Sequence, residues 1–277
     1  SQGLYPFQSS DYEAVPSLPQ IYNKALYVPE YDIPSQILHP DLDLDAIENQ
    51  WIEQKGITVV DNLLSDETLT QVRKLLLEST VWYQTKMPKR FGGYVGAYID
   101  DGLHAKVLLI VAKEIHRLLP SSIMKGHDLK YLWAYKYDSD YGGIHTHADQ
   151  AAVNINIWLT PDEANLDKNS GGLVIFTKRP PKNWDFEAYN TDKEMIEREI
   201  LAPSNFANIT VPFRYNRAVI FDSALFHHTD EFHFKQGYAN RRINLTLLYG
   251  KMQLGDEEPC HSGKDDDTET CIIANKV

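Results

Sequence analysis

Polar and apolar residues alternate along two segments in the second half of the chain. In residues 153–159 every second side chain is aliphatic, and the other face carries Asn154, Asn156 and Trp158. Residues 242–248 alternate in the same way, with Arg242 and other polar residues on one face. Period-two alternation is typical of β-strands. A half-buried sheet would turn the polar face to water, whereas a barrel or jelly roll would turn it toward a ligand cavity. The pattern alone leaves both arrangements open.

Further short segments rich in β-branched and aromatic residues predict a chain dominated by strands. These predicted strands are 56–64, 130–137, 152–160, 171–177, 217–222 and 241–250. A helix is predicted over 65–79, where Ser65 and Glu67 give a capping signal before an apolar periodicity. A second helix is predicted near 103–118.

The composition divides the chain into three regions. Residues 1–55 are rich in Pro, Tyr and Asp and predict an extended N-terminal arm wrapped on the domain. Residues 56–253 form the predicted domain, and an insertion at 178–210 carries a helix. This insertion is either a lid over the site or a structural flap. Residues 254–277 predict an acidic tail, in which we expect Cys260 and Cys271 to be free thiols rather than a bridge.

The net charge of the chain argues against a nucleic-acid partner. The 277 residues carry a formal net charge of −12, which disfavours a nucleic-acid partner because such binding uses clustered Lys and Arg. No apolar run approaches the roughly 20 residues of a membrane span. Hydrophobic residues make up 43% of the chain, enough for a substantial core. We expect an intracellular, cytoplasmic protein without a membrane partner.

The stretch YGGIHTHADQ, residues 141–150, carries the candidate chemistry. On a strand, His147 and Asp149 would point to the same side and offer an imidazole and a carboxylate to one divalent metal. A third ligand is expected from His227 or His228, which follow a predicted strand. Two His and one carboxylate are the set that holds non-haem Fe(II) with positions left open. An Arg at 241–242 aimed into the cavity would bind the carboxylate of a dicarboxylate cosubstrate.

This ordered set of features resembles the Fe(II)/2-oxoglutarate-dependent oxygenase superfamily. The similarity covers about residues 56–250 and includes a Tyr and glycines before H-x-D, the SGGLVIF strand, a distal His and a following R-x-N-x-T strand. It is nearest to the prolyl-hydroxylase-like group and to uncharacterised bacterial and marine oxygenase domains. The resemblance implies a mainly β fold with flanking helices, namely a double-stranded β-helix (jelly roll, cupin-like).

The resemblance also implies roles for individual residues. Its implied metal ligands and catalytic residues are His147, Asp149 and His227, with His228 as the alternative to the last. Arg242 would bind 2-oxoglutarate together with Tyr137 and Asn156, and Arg241 is the alternative to Arg242. The residues expected to contact substrate are Trp158, Tyr135 and His145.

The implied cofactors are Fe(II), 2-oxoglutarate and O2. The implied reaction hydroxylates or otherwise oxidises an unactivated C–H bond of a small molecule or of a peptide or protein residue, with release of succinate and CO2. Related halogenases replace the carboxylate at the position of Asp149 by a small residue, so its presence favours hydroxylation or a related oxidation such as desaturation. Two alternatives remain: a cupin-like metal-binding module without 2-oxoglutarate turnover, and a degenerate oxygenase domain kept as a scaffold. Arg242 argues against the first, and an intact ligand set argues against the second.

Overall fold

A computed structural model describes residues 7–22, 26–87, 92–138, 142–185 and 187–252. The predicted acidic tail, with Cys260 and Cys271, lies outside the described residues. Within these ranges, no helix has the length and apolar character needed to cross a membrane.

In the described part of the chain, ten strands form two antiparallel sheets. Their bounds are β1 Ile57–Val60, β2 Gln84–Lys86, β3 Tyr94–Tyr98, β4 Leu129–Tyr137, β5 Val153–Trp158, β6 Leu173–Phe176, β7 Asn208–Val211, β8 Ala218–Asp222, β9 His227–Thr229 and β10 Ile243–Tyr249. The major sheet has the order β1-β8-β5-β10-β4-β3-β2, and the minor sheet has the order β7-β6-β9. The six predicted strands are confirmed as β1, β4, β5, β6, β8 and β10. The strands that the sequence did not predict are β2, β3, β7 and β9, which have only three to five residues each.

The helices lie before β1, between the strands of the first half of the chain and within the insertion. Their bounds are α1 Ser9–Ala14, α2 Leu18–Ile21, α3 Leu44–Glu53, α4 Asp66–Glu78, α5 Lys106–Leu118, α6 Ser121–Met124, α7 Ala188–Thr191 and α8 Lys193–Ile196, the last followed by a π-helical segment, Glu197–Leu201. The predicted α4 and α5 are confirmed, and the Ser65 hydroxyl caps α4 by accepting the Thr68 N–H. The N-terminal arm is not extended throughout, because Asp43 caps α3 and Ile47 of that helix is buried.

The helices decide which face of the major sheet is the interior. The aliphatic side chains of β5 and β10 pack in one core with those of α4 and α5. The polar face of both strands is therefore turned away from the helices, toward the minor sheet. The arrangement is the jelly roll that places polar residues inside, and the mainly β prediction is confirmed.

The insertion covers the outer side of the minor sheet. Val174 and Phe176 of β6 pack with Tyr189, Ile196 and Leu201 of the insertion in a separate buried cluster. The predicted helix in this segment is present as α7, α8 and the π-helical segment.

Candidate metal centre

The loop that carries H-x-D meets β9 through one pair of residues. His147 and His227 form an isolated antiparallel bridge, in which each backbone N–H donates to the other residue's carbonyl at 3.0 and 2.9 Å. The expectation that H-x-D lies on a strand is wrong, because Asp149 lies in a loop beyond this bridge. The Asp149 N–H instead donates to the Ser223 carbonyl at 3.1 Å, which fixes the loop to the end of β8.

Three candidate ligands converge at this bridge. The nearest ligand atoms of His147, Asp149 and His227 all lie within 4.8 Å of one another. The His147 Nε2 is 3.8 Å from one carboxylate oxygen of Asp149, and the His227 Nε2 is 3.5 Å from the other. Two imidazole nitrogens and one carboxylate can hold a divalent transition metal and leave positions open. His228 is not part of the cluster, because its ring packs against Phe176 on the other side of the sheet.

Each candidate ligand is oriented by a further hydrogen bond. The His147 Nδ1 lies 2.7 Å from the His145 carbonyl, and the His227 Nδ1 lies 2.9 Å from the Leu225 carbonyl. A carbonyl accepts only from a protonated Nδ1, so both contacts leave Nε2 unprotonated for a metal. Asn154 Nδ2 donates to Asp149 Oδ2 at 2.8 Å. The cluster is therefore preorganised by its surroundings.

The electrostatics of the cluster favour metal-binding protonation states. Burial lowers the pKa of His147 to about 4, helped by His227 and opposed by Asp149. Burial alone would raise the pKa of Asp149, but the nearby imidazoles and the hydrogen bond that Asn154 donates hold it below its usual value. At neutral pH, His147 is neutral and Asp149 is ionised, as metal binding requires.

The cluster lies on the wall of a cavity between the two sheets. The cavity has about 350 Å³ of empty space, part of it open to solvent. Its polar lining comes from the inward faces of β5 and β10, and its aromatic lining comes from β4. The predicted site residues that line it besides the cluster are Asn156, Tyr135, Tyr137 and Arg242.

Arg242 is a buried cation without a carboxylate partner. The side chain is 1% exposed, and no carboxylate of the described residues lies within 4.0 Å. Its guanidinium donates to the carbonyls of Gly171 and Gly172 at 2.7 and 3.1 Å and to the Asn244 amide oxygen at 3.3 Å. Burial lowers the pKa of Arg242. An uncompensated buried charge is costly, so the site is complementary to an anion.

The surroundings of Arg242 fix its position in the cavity. Its guanidinium carbon lies 4.8 Å from the centre of the Tyr137 ring, and the proximity of Arg242 and Thr229 opposes the rise in the Tyr137 pKa that burial causes. The absence of a side chain at Gly172 lets β7 approach the start of β6 closely, since a Cβ at this position would lie 1.8 Å from the Val211 carbonyl oxygen. Arg241 points away and pairs with Asp138 at 3.0 Å.

Two predicted substrate residues are not on the cavity wall. Trp158 is 0% exposed and stacks on Phe213 between the sheets, so it is a core residue in this structure. The His145 side chain is exposed, and the residue reaches the cluster through its backbone carbonyl. The cavity is also lined by Asn154, Asn244 and Thr246, for which no role was predicted. Their signal was present in the alternation, because they share a face with Asn156 and Arg242.

Comparison with solved structures supports the fold. The structure of HygX from Streptomyces hygroscopicus with nickel and 2-oxoglutarate bound matches at TM-score 0.51 and 15% identity, covering 76% of this chain and 87% of HygX. The non-haem alpha-ketoglutarate-dependent carbocyclase SnoK from nogalamycin biosynthesis matches at TM-score 0.50 and 11% identity, covering 78% and 87%. A prolyl-4-hydroxylase from Pseudomonas putida matches at TM-score 0.48 and 14% identity, covering 76% and 100%.

The matches to HygX and SnoK show a shared fold and nothing more, because the sequence identities are low. The chain has the fold of the 2-oxoglutarate oxygenase structures, as the resemblance predicted. No protein-family model and no curated protein matches the chain.

Proposed function

We propose that the protein is an Fe(II)- and 2-oxoglutarate-dependent oxygenase. It would hydroxylate an unactivated C–H bond of a small molecule or of a peptide or protein residue and release succinate and CO2. The observation that carries the proposal is one cavity that holds both a two-His-one-carboxylate cluster and a buried arginine that has no carboxylate partner among the described residues. The binding of nickel and 2-oxoglutarate by HygX, which shares the fold, supports it.

The chain's own residues would hold the metal through the Nε2 atoms of His147 and His227 and the carboxylate of Asp149. Bound Fe(II) and 2-oxoglutarate supply the oxidising chemistry, including the activation of O2. The three side chains need little rearrangement, because their hydrogen bonds to carbonyls and to Asn154 already set their orientation.

Arg242 would bind the distal carboxylate of 2-oxoglutarate. A guanidinium binds a carboxylate by two parallel hydrogen bonds, and burial strengthens such a pair. Asn244 and the two glycine carbonyls hold the guanidinium in place, and the Tyr137 hydroxyl can donate a further hydrogen bond to the carboxylate. The cosubstrate would then be held at both ends, by the metal and by Arg242.

An anaerobic titration tests this proposal. Fe(II) and then 2-oxoglutarate are added to the metal-free protein, and the weak visible band of the iron–2-oxo acid chelate is followed. We expect a band in the wild type and in His145→Ala, whose side chain is outside the cavity, and no band in His147→Ala. Admission of O2 should then release succinate. Tight metal binding without a band in the wild type would contradict the proposal and favour a cupin-like metal-binding module.

A further inference from the structure

Four aromatic rings form a continuous surface on the inward face of β3 and β4. This aromatic wall consists of Tyr98, Tyr131, Trp133 and Tyr135. Tyr98 pairs with Trp133 across the two strands, and alternate residues of β4 supply the others. Because paired and alternate residues share a face, the rings lie side by side. Their centres are 6.4 Å apart for Tyr131–Trp133, 5.8 Å for Trp133–Tyr135 and 6.0 Å for Tyr98–Trp133.

The aromatic wall leads from the candidate metal centre to solvent. Trp133 and Tyr135 line the same cavity as His147 and Asp149. Tyr131, at the outer end, is 50% exposed. When exposed aromatic side chains lie next to a candidate active-site cavity, a ligand can bury its own apolar surface against them.

Two of the hydroxyls on the aromatic wall are paired with each other. The hydroxyls of Tyr98 and Tyr135 are 2.7 Å apart and bond to each other. Gly96 makes room for both rings, since a Cβ there would lie 3.0 Å from the Tyr135 ring and 3.2 Å from the Tyr98 ring. A flat aromatic ring can pack against these rings without any hydrogen-bond partner of its own.

Polar acceptors lie at the inner end of the cavity. The Oδ1 atoms of Asn154 and Asn156 are buried, line the cavity side of β5 and have no hydrogen-bond partner among the described residues. The orientation of the Asn154 amide is set, because its Nδ2 donates to Asp149. Buried acceptors without partners are unfavourable, so a ligand that donates an O–H or N–H at this point would be selected.

We infer that the substrate is a small molecule with a flat aromatic ring that stacks on the aromatic wall. An O–H or N–H of the molecule donates to Asn154 or Asn156, which places the group next to the candidate metal centre. The oxidation of such a ligand rests on the proposed function, but its binding does not require the metal.

The test compares a flat ring with its saturated counterpart. Metal-free full-length protein is titrated with 2-naphthol and with decahydro-2-naphthol, and the NMR signal of the Trp133 indole N–H is followed. The chain has five Trp, and the spectrum of Trp133→Phe identifies the signal. We expect a ring-current shift of this signal and about three- to tenfold tighter binding of the flat ring, from the known strength of aromatic pairs.

Variants locate the binding site. Tyr131→Ser removes a half-exposed ring, so the protein should remain folded, and binding of 2-naphthol should weaken by about three- to tenfold. Phe206→Ser is the matched control, because Phe206 is 45% exposed and lies outside the aromatic wall, and its affinity should equal that of the wild type. Equal affinities for the two ring types, or stronger shifts with glucose or N-acetylprolinamide, would overturn the inference.

The two proposals can fail separately. If the wild type gives the iron–2-oxo acid band but does not discriminate between the two rings, the aromatic-substrate inference is wrong and the proposed function stands. If it discriminates but gives no band, the ring-binding surface stands and the oxygenase proposal is wrong.

Discussion

Replacing Arg242 by Met separates a cosubstrate-binding arginine from a structural one. Met keeps an unbranched apolar side chain beside Tyr137, and it removes the charge and every hydrogen-bond donor. If Arg242 binds the distal carboxylate of 2-oxoglutarate, the variant should bind the cosubstrate much more weakly while remaining folded. If Arg242 only anchors the glycine carbonyls of the minor sheet, the variant should unfold more easily and show no specific effect on the carboxylate.

The structure gives the expected size of both effects. Removing one partner of a buried, hydrogen-bonded charge pair costs about 2–5 kcal/mol, or about 30- to 4,000-fold in affinity. Removing the buried charge of Arg242 should stabilise the folded protein by several kcal/mol. Against this, the Gly171 carbonyl loses its bond to Arg242 at a cost of about 1–3 kcal/mol. The Gly172 carbonyl keeps the Asp230 N–H at 3.2 Å. The free energy of unfolding should therefore change by less than about 2 kcal/mol.

The assay uses a cosubstrate analogue as a second control. Fe(II)-loaded protein is titrated anaerobically with 2-oxoglutarate and with 2-oxopentanoate, which has the same chain length but no distal carboxylate. The wild type should prefer 2-oxoglutarate by about 30-fold or more, and Arg242→Met should bind both equally. Arg241→Met, which removes the neighbouring ion-paired arginine, should keep the preference. Persistence of the preference in Arg242→Met would refute this role for Arg242.

Three further predictions follow from buried groups. Burial and two nearby arginines lower the pKa of Lys136 from 10.5 to about 7. The unfolded chain therefore binds more protons between pH 7 and 10.5, and wild-type stability should rise with pH by up to about 1.4 kcal/mol per unit relative to Lys136→Met. Parallel urea curves for the two proteins across this range would contradict this. Asn154→Ala should weaken Fe(II) binding by about 10- to 100-fold because Asp149 loses its orienting donor; an unchanged dissociation constant would show that this contact has no role. Gly172→Ala should destabilise the fold by about 3 kcal/mol or more, since its Cβ would overlap a β7 carbonyl. Gly142→Ala, with open space around its Cβ, should change the free energy of unfolding by less than about 0.5 kcal/mol.

The local pattern of the sequence determined which residues act together. Period-two alternation placed Asn156 on one face of β5 and Arg242 on the matching face of the segment that leads into β10. The capping signal at Ser65 located the start of α4. Each of these features depends on residues close in the chain, so local stereochemistry is enough to specify it. The resemblance added the jelly-roll fold, which the comparison with solved structures supports.

The tertiary structure determined which face of each strand is interior, which the alternation of residues does not specify. A period of two fixes which side chains share a face but not which face is interior, and here the packing of α4 and α5 on the aliphatic face made the polar face the cavity wall. His147 meets His227 through a bridge between segments distant in the chain. Trp158, on the inward face of β5, is covered by Phe213 in the segment that follows β7, whereas Asn156 is left facing the cavity. Long-range register and packing create the site, because they set which of the residues sharing a face are covered and which remain open to a ligand.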